Sequence, residues 1–171
     1  MKIFTVGYEG ASIEQFVSFL NREGIELIAD VRKNPVSRKK GFSKRQLAAH
    51  LGEKNIEYLH LPGLGMPTEW RKKAKAQIIT RQRMFQDYVK KVLPKQSEEI
   101  QLLRKLLREK KTCLLCFEAD PSDCHRRNIS DEIQRVDKKV KVEDLDVFAG
   151  AALKIFSPTK TKRPPGEFPT A

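Results

Sequence analysis

No run in this 171-residue chain approaches the roughly 18 apolar side chains that a membrane helix needs, so no membrane association is expected. Cysteine is scarce and odd in number, with Cys113, Cys116 and Cys124 crowded into twelve residues. That count gives no disulfide framework and fits a reducing, cytoplasmic setting. No Gly-rich phosphate loop and no dinucleotide fingerprint occurs, so no cofactor is expected. The first nine residues reach Glu9 before any seven-residue apolar stretch, which predicts no signal peptide. Aromatic residues make up only 8%, and Tyr8, Tyr58 and Trp70 alone fall near predicted loops where a base could stack. Tyr58 lies in a predicted strand, which favours packing.

What is present is a real core under a heavily charged surface, with 39% hydrophobic and 33% charged residues. The length suits one α/β domain over residues 1–150, followed by a flexible tail over 151–171 in which prolines cluster and periodicity is lost. The formal charge of +12 is uneven. Residues 33–45 hold six basic side chains and no acid, and residues 69–91 hold eight against Glu69 and Asp87. The whole excess therefore lies in two segments that, if adjacent, form one polyanion-attracting patch. A merely solvated basic face is the competing reading.

Apolar periodicity orders the elements. Strands are predicted at Ile3 to Val6, Leu27 to Val31, Glu57 to Leu61, Thr112 to Phe117 and Val140 to Asp144. Helices are predicted after the capping-box patterns Ser12-x-x-Gln15 and Ser43-x-x-Gln46, over Gln77 to Leu93, over Ser97 to Lys110 and from Asp123 to Arg135. Pro62 to Pro67 reads as loop. Strands alternating with helices predict a three-layer α/β fold, Rossmann-like or flavodoxin-like, with a mostly parallel sheet and helices on both faces.

Ligands of such sheets bind beyond the carboxyl ends of the strands. Three predicted ends deliver Tyr8, then Asp30 and Arg32 with Ser37 and Arg38 behind them, then Glu118 to Arg126. Ser122 or Asp123 is the expected N-cap, placing Cys124, His125 and Arg126 in a first helical turn that attracts anions. A thiol there is expected to favour its thiolate, making Cys124 a candidate nucleophile beside His125, with Glu118 as acid or base. Arg32 and Arg126 are the expected anion clamps. The competing structural reading makes Cys124 filler and pairs Arg126 with Glu118 or Asp30. Cys113, Cys116, Cys124 and His125 have the count of a zinc site, but residues three apart on a strand face opposite ways, so no metal is expected.

These residues together resemble the family called domain of unknown function number 488. The resemblance covers roughly residues 2–145 and rests on four ordered motifs: Thr5 to Ile13; Asp30-Val31-Arg32 with Pro35 and Ser37; Tyr58-x-His60-x-Pro62-x-Leu64-Gly65; and Cys116-x-Glu118 with Cys124-His125-Arg126. It implies a three-layer α/β fold with those residues at one sheet edge, and it brings no reaction. Where relatives often end the last strand with a histidine, this chain has Asp144-Leu145. His60 divides between anchoring a loop and touching a ligand. The sequence leaves three readings open: an enzyme acting on a nucleic acid or nucleotide, a non-catalytic nucleic-acid-binding module, and a thiol-based redox or persulfide-handling protein. Under the first two the partner is a nucleic acid or another phosphate-bearing ligand.

Overall fold

A computed structural model describes residues 1–149, so the expected tail over 151–171 lies outside the described residues. Five strands form one parallel sheet: β1 (Lys2–Gly7), β2 (Leu27–Asp30), β3 (Glu57–His60), β4 (Thr112–Cys116) and β5 (Lys141–Leu145). Their order is β3-β2-β4-β1-β5. It matches neither common doubly wound order, because β4 inserts between β1 and β2. Every residue of β4 is buried, as its unbroken apolar run requires of a central strand covered on both faces.

Alternation along the strands divides the core into two layers. Phe4, Val6, Ile28, Cys113 and Leu115 face α1 (Ile13–Arg22) and α2 (Lys44–Gly52), where Phe16, Leu20, Leu47 and Leu51 meet them. Ile3, Ala29, Leu114 and Cys116 face the other way, toward α4 (Arg81–Lys91), α5 (Ser97–Glu109) and α6 (His125–Val136). A right-handed crossover accounts for the split: chain moving from β1 toward β3 lays its helices on one face, and chain moving back lays them on the other.

The Ser12 capping box forms, with Ser12 Oγ accepting from Gln15 N and Gln15 Oε1 accepting from Ser12 N. The Ser43 box does not. Ser43 Oγ instead donates to Ser37 O and accepts from Ser37 N, while Gln46 Oε1 takes the Gly41 amide, so both side chains fold the preceding loop. The connection from β3 to α4 also departs from expectation. Pro62–Leu64 is one 3-10 turn, and a separate helix, α3 (Thr68–Lys75), precedes α4. No residue of α3 is fully buried, and its apolar face is only Trp70 and Ala74, too short a stripe to be read as a helix from sequence. Among the described residues no helix is long and apolar enough to cross a membrane.

Candidate functional site

β4 ends at Cys116, and the chain leaves the sheet through Phe117 and Glu118. Asp120 takes the Ser122 amide at 2.8 Å, which fixes a 3-10 turn over Pro121–Asp123 and delays the start of α6. Cys124, not Ser122 or Asp123, is therefore the N-cap, its Sγ accepting from Arg126 N at 3.5 Å. His125 opens the helix. Its Nε2 lies 2.9 Å from Val31 O, which makes Nε2 the protonated nitrogen and leaves Nδ1 free to accept. Nδ1 faces two sulfurs, Cys116 Sγ at 3.8 Å and Cys124 Sγ at 4.0 Å. Cys116 Sγ also donates to Glu118 Oε2 at 3.2 Å.

Burial sets the protonation of this cluster. It opposes the Glu118 carboxylate most strongly, yet a backbone amide, the thiols of Cys124 and Cys116 and the nearby His125 outweigh it and hold the carboxyl below its ordinary range. It opposes the His125 cation too, but Cys124, the Val31 carbonyl and Glu118 together raise that imidazole. For Cys124 burial wins. The thiol is pushed well above its ordinary value, with Cys116 adding to the effect and His125 only partly offsetting it. Against the thiolate expected from the helix end and its basic neighbours stands burial, which leaves Cys124 2% exposed and raises its thiol.

Cys116, Glu118 and His125 line a cavity of about 640 Å³, a size that suits a small ligand. Cys124 is not among its lining residues. Met66, Met84 and Phe85 supply apolar wall, while Arg38, Arg71, Lys72, Lys75 and Arg81 supply five cations. Both basic segments therefore reach one cavity. Lys72 is paired with Glu69 and Arg81 with Asp123, whereas Arg38, Arg71 and Lys75 form no ion pair among the described residues.

The other motif residues gather nearby in a different role. Asp30 is fully buried and receives Arg32 through its Nε and Nη2, the Arg32 backbone amide, and the Tyr58 hydroxyl at 2.6 Å. Arg32 Nη1 donates to the Tyr8 hydroxyl and to Phe42 O, both at 2.9 Å. Tyr8 stacks on Phe42 with ring centroids 4.3 Å apart and donates to Ser37 Oγ at 3.4 Å, so it packs the loop rather than offering a face to a base. His60 Nε2 donates to Arg32 O at 2.9 Å and its Nδ1 takes Lys44 Nζ at 3.3 Å, which assigns it to anchoring. Arg126, wholly buried, spends its three nitrogens on Thr5 Oγ1, Glu118 O and Ala119 O. Thr5 in turn donates to Asp144 at 2.6 Å, so Asp144 closes that chain of bonds. Neither Arg32 nor Arg126 is free to clamp an anion. They hold the loops that carry Glu118 and Arg38.

Cys116 is the residue that the sequence reading weighed, with Cys113, and then set aside. Strand parity separates it from Cys113, which sits in the opposite layer, but parity does not separate it from Cys124 and His125. The signal was present in its position two residues before Glu118. The cavity cations of α3 fall in the basic segment 69–91, although the helix that carries them was not foreseen.

Fold and site together define a parallel α/β protein with a thiol–imidazole–carboxylate cluster at the carboxyl edge of its central strand. The chain belongs to the family described as domain of unknown function DUF488, whose model matches residues 12–133. No curated protein and no solved structure matches it.

Proposed function

We propose that the protein is an enzyme acting on a nucleic acid or nucleotide, whose phosphates dock on Arg38, Arg71 and Lys75 and whose reacting group faces Glu118 at the cavity base. One observation carries this reading: a single cavity joins the Cys116–Glu118–His125 cluster to five cations drawn from both basic segments. Three cations without acidic partners provide charge for phosphate oxygens. Glu118, held by thiol donors beside open cavity, is placed to take a proton from an incoming group.

The test uses short single- and double-stranded DNA and RNA and the nucleoside mono-, di- and triphosphates, with product followed by chromatography. Turnover is expected for at least one of them, with a fall of about 10²-fold or more in Glu118→Gln and binding retained. Binding by fluorescence anisotropy is expected to weaken with salt, and to lose part of its salt slope in Arg71→Gln with Lys75→Gln. Binding without turnover of any of these would overturn the enzyme and favour a non-catalytic binding module. That second reading draws on the internally satisfied Asp30–Arg32 and Arg126 networks, which shape loops without needing any reaction. A thiol-handling protein centred on Cys124 is disfavoured by that residue's burial and raised thiol.

A further inference from the structure

We infer that Cys116, Cys124 and His125 form a zinc site, with Glu118 beside the coordination position that opens on the cavity. The inference rests on the reading of this cavity as the working site and gives it a resident Lewis acid. Sγ of Cys116, Sγ of Cys124 and Nδ1 of His125 all lie within 4.8 Å of one another. Tetrahedral zinc, with bonds of about 2.3 Å to sulfur and about 2.0 Å to nitrogen, sets sulfur–nitrogen edges of about 3.5 Å and sulfur–sulfur edges of about 3.8 Å. The two sulfur–nitrogen distances here are 3.8 and 4.0 Å and the two sulfurs lie within 4.8 Å of each other, so the three donors face one point and close on a metal once the sulfurs draw together by up to about 1 Å.

The support around the donors fits as well. A zinc-bound imidazole characteristically donates its other N–H to a carbonyl or carboxylate, and His125 Nε2 does so to Val31 O at 2.9 Å. Cys124 is held at the start of α6 and Cys116 at the end of β4, so both sulfurs sit on rigid elements. Two thiolates balance the charge of Zn²⁺, which removes the cost of burying either one alone. Uptake displaces both thiol protons, and these leave to solvent with the net charge of the site unchanged. The cavity provides the entry path, because Cys116, Glu118 and His125 line it. Three protein donors plus one position open to a cavity is the arrangement of catalytic rather than structural zinc. Cys113 takes no part, since it faces the other layer.

The experiment adds cobalt to the full-length protein under reducing conditions and follows the sulfur-to-cobalt charge-transfer and tetrahedral d–d absorption. It then measures zinc affinity by competition with a chromophoric chelator. The expected result is one tetrahedral thiolate-bound cobalt per chain, displaced by zinc, with two protons released and Cys116 and Cys124 shielded from alkylation. Cys116→Ser and Cys124→Ser are each expected to weaken zinc by more than the roughly 10–100-fold that loss of an outer partner costs, while Cys113→Ala retains the band. Circular dichroism of each variant separates lost ligation from lost fold. Absence of the band in folded wild-type protein would overturn the site, as would a band that survives both serine variants or a Cys116–Cys124 disulfide forming in place of metal uptake. Oligonucleotide binding measured on the same sample keeps the two readings apart. Binding without the cobalt band removes the zinc and leaves the phosphate-binding cavity, and the band without binding does the reverse.

Discussion

Asp30 and Arg32 show what a buried charge pair does for a neighbouring site without touching it. The Asp30 carboxylate is inaccessible to water, and Arg32 is raised in pKa: burial works against its charge, but the bonds and charge of Asp30 outweigh that penalty. Removing one partner strands the other, which costs about 3–5 kcal/mol. Asp30→Ala is therefore expected to lower the urea midpoint strongly. The double change Asp30→Leu with Arg32→Met is expected to recover a large part of the loss, because it removes both charges together. An unfolding free energy for Asp30→Ala within about 1 kcal/mol of wild type would refute the assignment of Asp30–Arg32 as a stabilising pair. At this scale the sequence told where the polar residues gather but not which of them face a ligand. Tyr8, Arg32, His60 and Arg126 carry the right chemistry for binding, yet their donors are consumed by carbonyls and hydroxyls of other segments and, for Arg32, by the Asp30 carboxylate two residues before it. Such bonds depend on tertiary approach, to which spacing along the chain is blind.

Between elements, the closest approach is that of β1 to the chain leaving β4. Gly7 pairs with Cys116, and a Cβ on Gly7 would fall inside the Glu118 carbonyl. That same carbonyl accepts from Arg126, so any retreat of the backbone opens a bond from α6 as well. Gly7→Ala is expected to cost about 1–3 kcal/mol in thermal unfolding and to speed amide exchange over residues 117–120, with the rest of β4 unchanged. Unaltered exchange there would mean that the loop tolerates the methyl group and that Gly7 does not position Glu118. All five strands were legible: β1, β2 and β4 as short apolar runs, and β3 and β5 as short segments that mix apolar with charged residues. The helices facing the core were legible by their stripes. What escaped was α3, which rests on the core only through the partly buried Trp70 and Ala74, and the Ser43 cap, whose hydroxyl is taken by Ser37 before α2 can use it. At Ser43 a local rule was overridden by a partner outside the helix.

For the molecule as a whole, burial of neutral acids shapes the response to alkali. The Cys113 thiol is pushed up by complete burial, the Tyr88 phenol by burial, and the Tyr58 phenol by burial with the adjacent Asp30 charge. A group whose folded pKa is raised contributes stability that is full below its unfolded value and lost above it. With unfolded values of about 8.5 for a thiol and about 10 for a phenol, urea stability is expected to hold to about pH 8.5 and then decline steadily toward pH 11. A flat profile across that window would contradict the burial of these three groups. The strand order has a consequence for how the chain is made. β1 and β2 share no hydrogen bonds with each other, and both pair with β4, which the ribosome delivers only after about a hundred further residues. At roughly 5–20 residues per second, β1 and β2 wait several seconds with unpaired edges, the interval in which a nascent chain most needs a holding chaperone. The insertion that ends this wait also brings Cys116 and Glu118 to the sheet edge, so the strand that joins the two halves of the sheet is the one that delivers the first half of the reactive cluster.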